Sequence, residues 1–121
     1  SWWSACHGYH HPELIQALKY QLESVVHVML GGLVAEPTEK LAQRLTELLP
    51  RPLQHVFFSE SGSVSVEVAL KMAIQYWANQ GEGQRKKILH FQYGYHGDTF
   101  MTMSVCDPVQ GMHAPFPPIT T

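Results

Sequence analysis

Apolar residues along this chain recur first at helical spacing, then in short extended runs, and the two patterns alternate. Leu14, Leu18, Leu22 and Val25 form one stripe at a period near 3.6, and Pro12 stands where a helix tolerates a missing N–H. The segment from Val25 to Leu30 reads as an apolar run that ends at Gly31-Gly32, a hinge or a point of close approach. Pro37 opens a second helix with Leu41, Leu45, Leu48 and Leu49 on one face, Glu36 and Lys40 able to pair across its first turn, and Pro50 and Pro52 stopping it. His55-Val56-Phe57-Phe58 has the aromatic and branched content of a strand. A turn at Ser59-Glu60-Ser61-Gly62-Ser63 leads into a long helix from about Ser63 to Asn79. That helix is apolar at Val66, Ala69, Leu70, Ala73, Ile74 and Trp77, and Gly81 closes it. Ile88-Leu89-His90-Phe91 reads as a second strand, and Asp98 or Thr99 can cap a short helix through Met103. The tail from Asp107 holds four of the eight prolines and reads as irregular. Strand, long helix, strand in that order predicts an α/β domain with a largely parallel sheet flanked by helices.

Composition changes this picture in one respect. Hydrophobic residues make up 45% of the 121 residues and charged residues only 15%, against a usual charged share of about 25%. So thin a charged coat implies that much of the surface meets other protein. The formal charge of −2 is spread without blocks beyond Arg85-Lys86-Lys87, which reads as a solvated turn. That excludes a nucleic-acid stripe and a polybasic membrane anchor. No window reaches the roughly 18 apolar residues of a membrane span. Cys6 and Cys106 have no CxxC partner, so reduced thiols in a cytoplasmic protein are the expectation. Ser1-Trp2-Trp3-Ser4 lacks the basic head of a signal peptide and an initiator Met, and reads as a start within a longer protein.

Three constellations carry candidate chemistry. Ser61-Gly62-Ser63 sits between a strand and a helix, where unpaired amides and the helix dipole favour an anion. Gly62 permits close approach and Ser63 adds a hydroxyl, which together make a phosphate cradle; an ordinary serine cap is the other reading. The GxxxxGK[ST] loop is absent. Tyr95-His96-Gly97-Asp98 follows a predicted strand, at the end of the sheet where ligands bind in open α/β folds. Its aromatic ring can lie flat against a planar ligand, and His96 with Asp98 reads either as an acid–base pair or as a turn. Trp2-Trp3 can wall an apolar pocket or belong to a core. His7, His10 and His11 are joined by no carboxylate or Cys at ligand spacing, so no metal site is expected.

Taken in order, Ser1-Trp2-Trp3, His7-Gly8-Tyr9-x-His11-Pro12, His27-Val28-Met29-x-Gly31-Gly32, Ser61-Gly62-Ser63 through Glu67, Ala69 and Lys71, and Gly94-Tyr95-His96-Gly97-Asp98-Thr99 resemble the class-III pyridoxal-phosphate aminotransferases. The likeness runs from residue 1 to about 113. The double tryptophan, the Gly-Gly segment and Val64-x-Val66 resemble the branch of the family that serves biotin biosynthesis. The resemblance implies part of the large domain of a type I pyridoxal-phosphate-dependent transferase over residues 1–113, with a divergent, irregular tail over 114–121. It implies that Gly62 and Ser63 hold the cofactor phosphate, and that Tyr95 lies against the pyridine ring and contacts the acceptor substrate. It implies too that Trp2 walls the substrate pocket and that Trp3 supports it. It implies a homodimer that moves an amino group from S-adenosylmethionine to 8-amino-7-oxononanoate, giving 7,8-diaminononanoate. The Schiff-base lysine of the family lies downstream. Lys19, Lys40, Lys71, Lys86 and Lys87 are not assigned to it, so this chain alone is expected to be inactive. A class-III ω-aminotransferase of the ornithine or 4-aminobutyrate type, or a non-catalytic truncated product, are the competing readings.

Overall fold

The computed structural model describes residues 3–116, which fall into two compact units divided between Val56 and Phe57. In the first unit a 3-10 turn at Trp3–Ala5 precedes α1 (Pro12–Leu22) and α2 (Glu36–Leu48). Each helix has a proline within its first two positions, where the N–H it lacks would have been an orphan. α2 begins one residue before Pro37, and its Glu36 and Lys40 form the ion pair that their spacing predicts. The pair is exposed at both ends, so it contributes little to stability. The apolar stripe of α1 is regular but uncovered, with Leu14, Leu18 and Leu22 all at least half exposed.

The second unit is built on α3 (Gly62–Asn79) and the short α4 (Phe100–Met103), which pack on one another. Ser61 caps α3 in an extended conformation, its hydroxyl accepting from the Val64 amide at 3.2 Å. At the other end Gly81 adopts a φ of 79°, its amide reaching Ala78 O while the Glu82 amide reaches Trp77 O. These are the two bonds of a Schellman closure, which glycine permits without steric cost. Arg85 lies over the Trp77 ring at 3.8 Å, so the basic triplet is not simply solvated: its first member covers the end of α3.

The core of this unit is small and half polar, with Thr102, Val105, Cys106 and Asp107 buried. Both cysteines are free, Cys6 exposed and Cys106 buried.

The expected parallel sheet is not formed among the described residues. Segments 55–58 and 88–91 are irregular and carry no ladder. A strand exists only through the backbone groups of a neighbour in register, and these two segments do not supply one another with such a neighbour. Branched and aromatic content marks a segment fit for a sheet; it does not make the pairing. Among the described residues no helix is long and apolar enough to cross a membrane.

Candidate functional site

The mouth of α3 is the strongest candidate. With Ser61 as cap, the Val64 amide is taken by the serine hydroxyl and the Ser65 amide by Ser61 O. The Gly62 and Ser63 amides donate to no acceptor among the described residues. A Cβ built on Gly62 would meet nothing within 4 Å, so the space beside this residue is open. The helix dipole adds partial positive charge at the same point.

The loop carrying Tyr95 is joined to that mouth. The Asp98 amide donates to the Ser63 hydroxyl at 3.0 Å, across 35 positions of sequence. Gly97 is buried against Ser63 with a φ of 133°; a Cβ there would stand 2.5 Å from Ser63 Oγ and 2.7 Å from its Cα. Only glycine lets the loop seat this closely. Because Ser63 Oγ accepts from Asp98, its own hydrogen stays free for an incoming anion.

Tyr95 is held at its tip and on one face. Its hydroxyl donates to Asp98 Oδ2 at 2.8 Å, and its ring stacks on His113 with centroids 5.7 Å apart and planes 24° from parallel. The bond to the Asp98 carboxylate, with smaller contributions from burial and from the charge of Asp98, raises the phenol pKa above its ordinary value. More than half of Tyr95 remains exposed.

No hydrogen bond joins His96 to Asp98. The carboxylate serves Tyr95 and lies 3.2 Å from His113 Nε2, while His96 uses its backbone amide to reach Cys106 Sγ at 3.2 Å. The His96 backbone and the Asp98 side chain thus both take part in shaping the loop.

Ser63 and the loop that carries Tyr95 are thus joined within the second unit through Gly97 and Asp98, and Gly62 precedes Ser63 at the start of α3. Trp3 lies in the first unit, in its 3-10 turn, and is 93% exposed; Trp2 lies outside the described residues. Two residues escaped sequence reasoning. His113 sits in a tail with no periodicity, and nothing local marks it. Asp107 opens an Asp-Pro turn, a pattern whose carboxylate characteristically accepts amides two and three residues on, and that signal was available. Among the described residues no group of three or more His, Cys, Asp or Glu side chains is arranged to hold a metal ion.

A family profile described as aminotransferase class-III matches residues 1–121. The chain belongs to the class-III aminotransferases. Within this family it is 54% identical over 114 residues to adenosylmethionine-8-amino-7-oxononanoate aminotransferase of Corynebacterium glutamicum, a match covering 94% of this chain and 27% of that protein. The enzymes of the same name from Mycobacterium leprae and Saccharomyces cerevisiae are 52% and 48% identical, over 94% and 93% of this chain and 26% and 24% of theirs. The crystal structure of the enzyme of that name from Methanocaldococcus jannaschii superposes with a TM-score of 0.84 at 38% identity, covering 90% of this chain and 25% of that one. The chain therefore spans about a quarter of the length of these class-III relatives. Its members being aminotransferases, the family is one of enzymes.

Proposed function

We propose that this chain is the phosphate-binding part of a pyridoxal-phosphate aminotransferase that carries an amino group from S-adenosylmethionine to 8-amino-7-oxononanoate in biotin biosynthesis. The observation that carries the reading is the seating of Gly97 and Asp98 on Ser63, which joins the Tyr95 loop to the open amides of α3. The residues fit the cofactor: two free amides, a free hydroxyl hydrogen and the positive end of an 18-residue helix suit a phosphate dianion, and an exposed tyrosine face suits a planar ring.

When bound, pyridoxal phosphate supplies the electron sink and the carrier of the amino group. This chain's own residues do the holding. Gly62 and Ser63 would hold the phosphate from backbone and side chain. Tyr95 would offer its ring to the cofactor, its orientation set by Asp98 at the hydroxyl and by His113 on one face. With the phenol proton committed to Asp98, Tyr95 stays neutral at physiological pH. Trp2 and Trp3 are assigned to the wall and support of the acceptor pocket. Residues 1–113 then form part of the large domain of a homodimeric, cytoplasmic enzyme, and 114–121 a divergent tail. The 121-residue chain by itself is inactive, because none of its lysines corresponds to the Schiff-base residue of the family.

The full-length protein containing this segment is expected to form 7,8-diaminononanoate from S-adenosylmethionine and 8-amino-7-oxononanoate. Turnover with ornithine or 4-aminobutyrate and none with S-adenosylmethionine would overturn the assignment. For the chain alone, borohydride reduction in the presence of pyridoxal phosphate should trap no stoichiometric adduct; one at a unique lysine would overturn the inactivity.

A further inference from the structure

Tyr95 is bracketed by two adjacent buried residues from beyond α4, Cys106 and Asp107, at 2% and 3% exposure. On one side the His96 amide donates to Cys106 Sγ. On the other, Asp107 binds the loop twice: its Oδ2 accepts from the Tyr93 amide at 2.8 Å, and its own amide donates to Gly94 O at 3.1 Å. Its second oxygen accepts from the Val109 and Gln110 amides at 2.8 and 2.9 Å, which fixes the carboxylate's orientation. The residue it grips is also conformationally unusual. Tyr93 has a φ of 61°, and it is the one non-glycine at positive φ among the described residues. A tyrosine does not hold that conformation unaided, because its Cβ crowds the following carbonyl. A charge-assisted bond at its amide is what keeps it there. If Tyr93 relaxed to negative φ, the chain direction would change two residues before Tyr95.

We propose that Asp107 is the positioning residue for Tyr95: by clamping the left-handed turn at Tyr93, it holds the Tyr95 ring in place beside the mouth of α3. The proposal rests on the reading that Tyr95 faces the cofactor, but the clamp can be tested without it.

In the 121-residue chain, amide hydrogen exchange of residues 93–96 is compared with that of α3. Asp107→Asn keeps the shape but cannot accept from all three amides, since its NH2 group must face one of those donors. Exchange over 93–96 should rise about tenfold or more, with α3 unchanged. Tyr93→Asn, which relieves the left-handed strain, should restore much of the protection in the Asp107→Asn background. On its own it should slow exchange of the loop by about twofold. That single-variant arm decides the matter if Asp107→Asn does not fold: unchanged or faster exchange then overturns the clamp. Equal acceleration in α3, or no restoration by Tyr93→Asn, overturns it as well. In the full-length protein loaded with pyridoxal phosphate, Asp107→Asn should weaken cofactor retention on dialysis, and Tyr93→Asn should recover it. Failure of that arm alone overturns the positioning role. Absence of cofactor uptake by the unmodified full-length protein would instead remove the proposed function, leaving the exchange result to stand for the clamp.

Discussion

At Gly97 two demands meet, a left-handed backbone and a contact with Ser63 too close for any side chain. Alanine there would strain the backbone and push the loop off the helix mouth, at a cost of about 2–4 kcal/mol. Urea unfolding should register that loss, and a change under about 0.5 kcal/mol, the usual effect of a neutral surface substitution, would mean that the seating is not needed. Asp107 makes a different prediction. Its carboxylate accepts from the Gln110, Val109 and Tyr93 amides, which lower its pKa below the ordinary carboxylate value, with the charge of His90 adding a little in the same direction. The folded pKa lies below the unfolded one, so its stabilisation is complete above the unfolded value of about 4 and is lost as pH falls through the folded value. Stability measured between neutrality and pH 3 should therefore show an acid limb that flattens in Asp107→Asn. An identical limb in both proteins would place the acid sensitivity elsewhere.

Helices answer to shorter-range rules. α3 starts with a serine whose hydroxyl takes an orphan amide and ends with a glycine in the left-handed region. Replacing Ser61 with alanine should cost about 1 kcal/mol, and replacing Gly81 with alanine about the same. Both are checked by thermal unfolding, where equal midpoints for variant and wild type would refute the caps. These same local devices made the helices readable from the residues alone: prolines at the entrances of α1 and α2, and glycine just past the exit of α3. The mouth of α3 and the Tyr95 loop were legible as separate pieces for the same reason. Their junction through Ser63 and Gly97 was not, because it spans 35 residues and leaves no periodic trace. Segments 55–58 and 88–91 mark the limit on the other side. Their residues suit a sheet, but pairing is a property of two segments and not of one.

On the scale of the whole chain, the low charge content has its counterpart in apolar surface. Leu18 is 62% exposed, Leu48 82% and Leu89 99%, in both units and on helices and connecting segments alike. Apolar area of this extent drives association. The chain should self-associate at tens of micromolar or above, within the range of about μM to mM where exposed apolar surface drives aggregation. Sedimentation velocity should show more monomer on Leu18→Glu with Leu48→Glu. A wild-type chain that stays monomeric throughout that range would show that its exposed leucines are inert.

The latch between Asp98 and Ser63 also bears on the energetics of ligand capture. The bond from the Asp98 amide to the Ser63 hydroxyl and the close seating of Gly97 tie the head of α3 to the aromatic loop through protein groups alone. Under the proposed cofactor assignment a phosphate group would have no segments to marshal there, and its interaction energy would not be diminished by the entropy of ordering them.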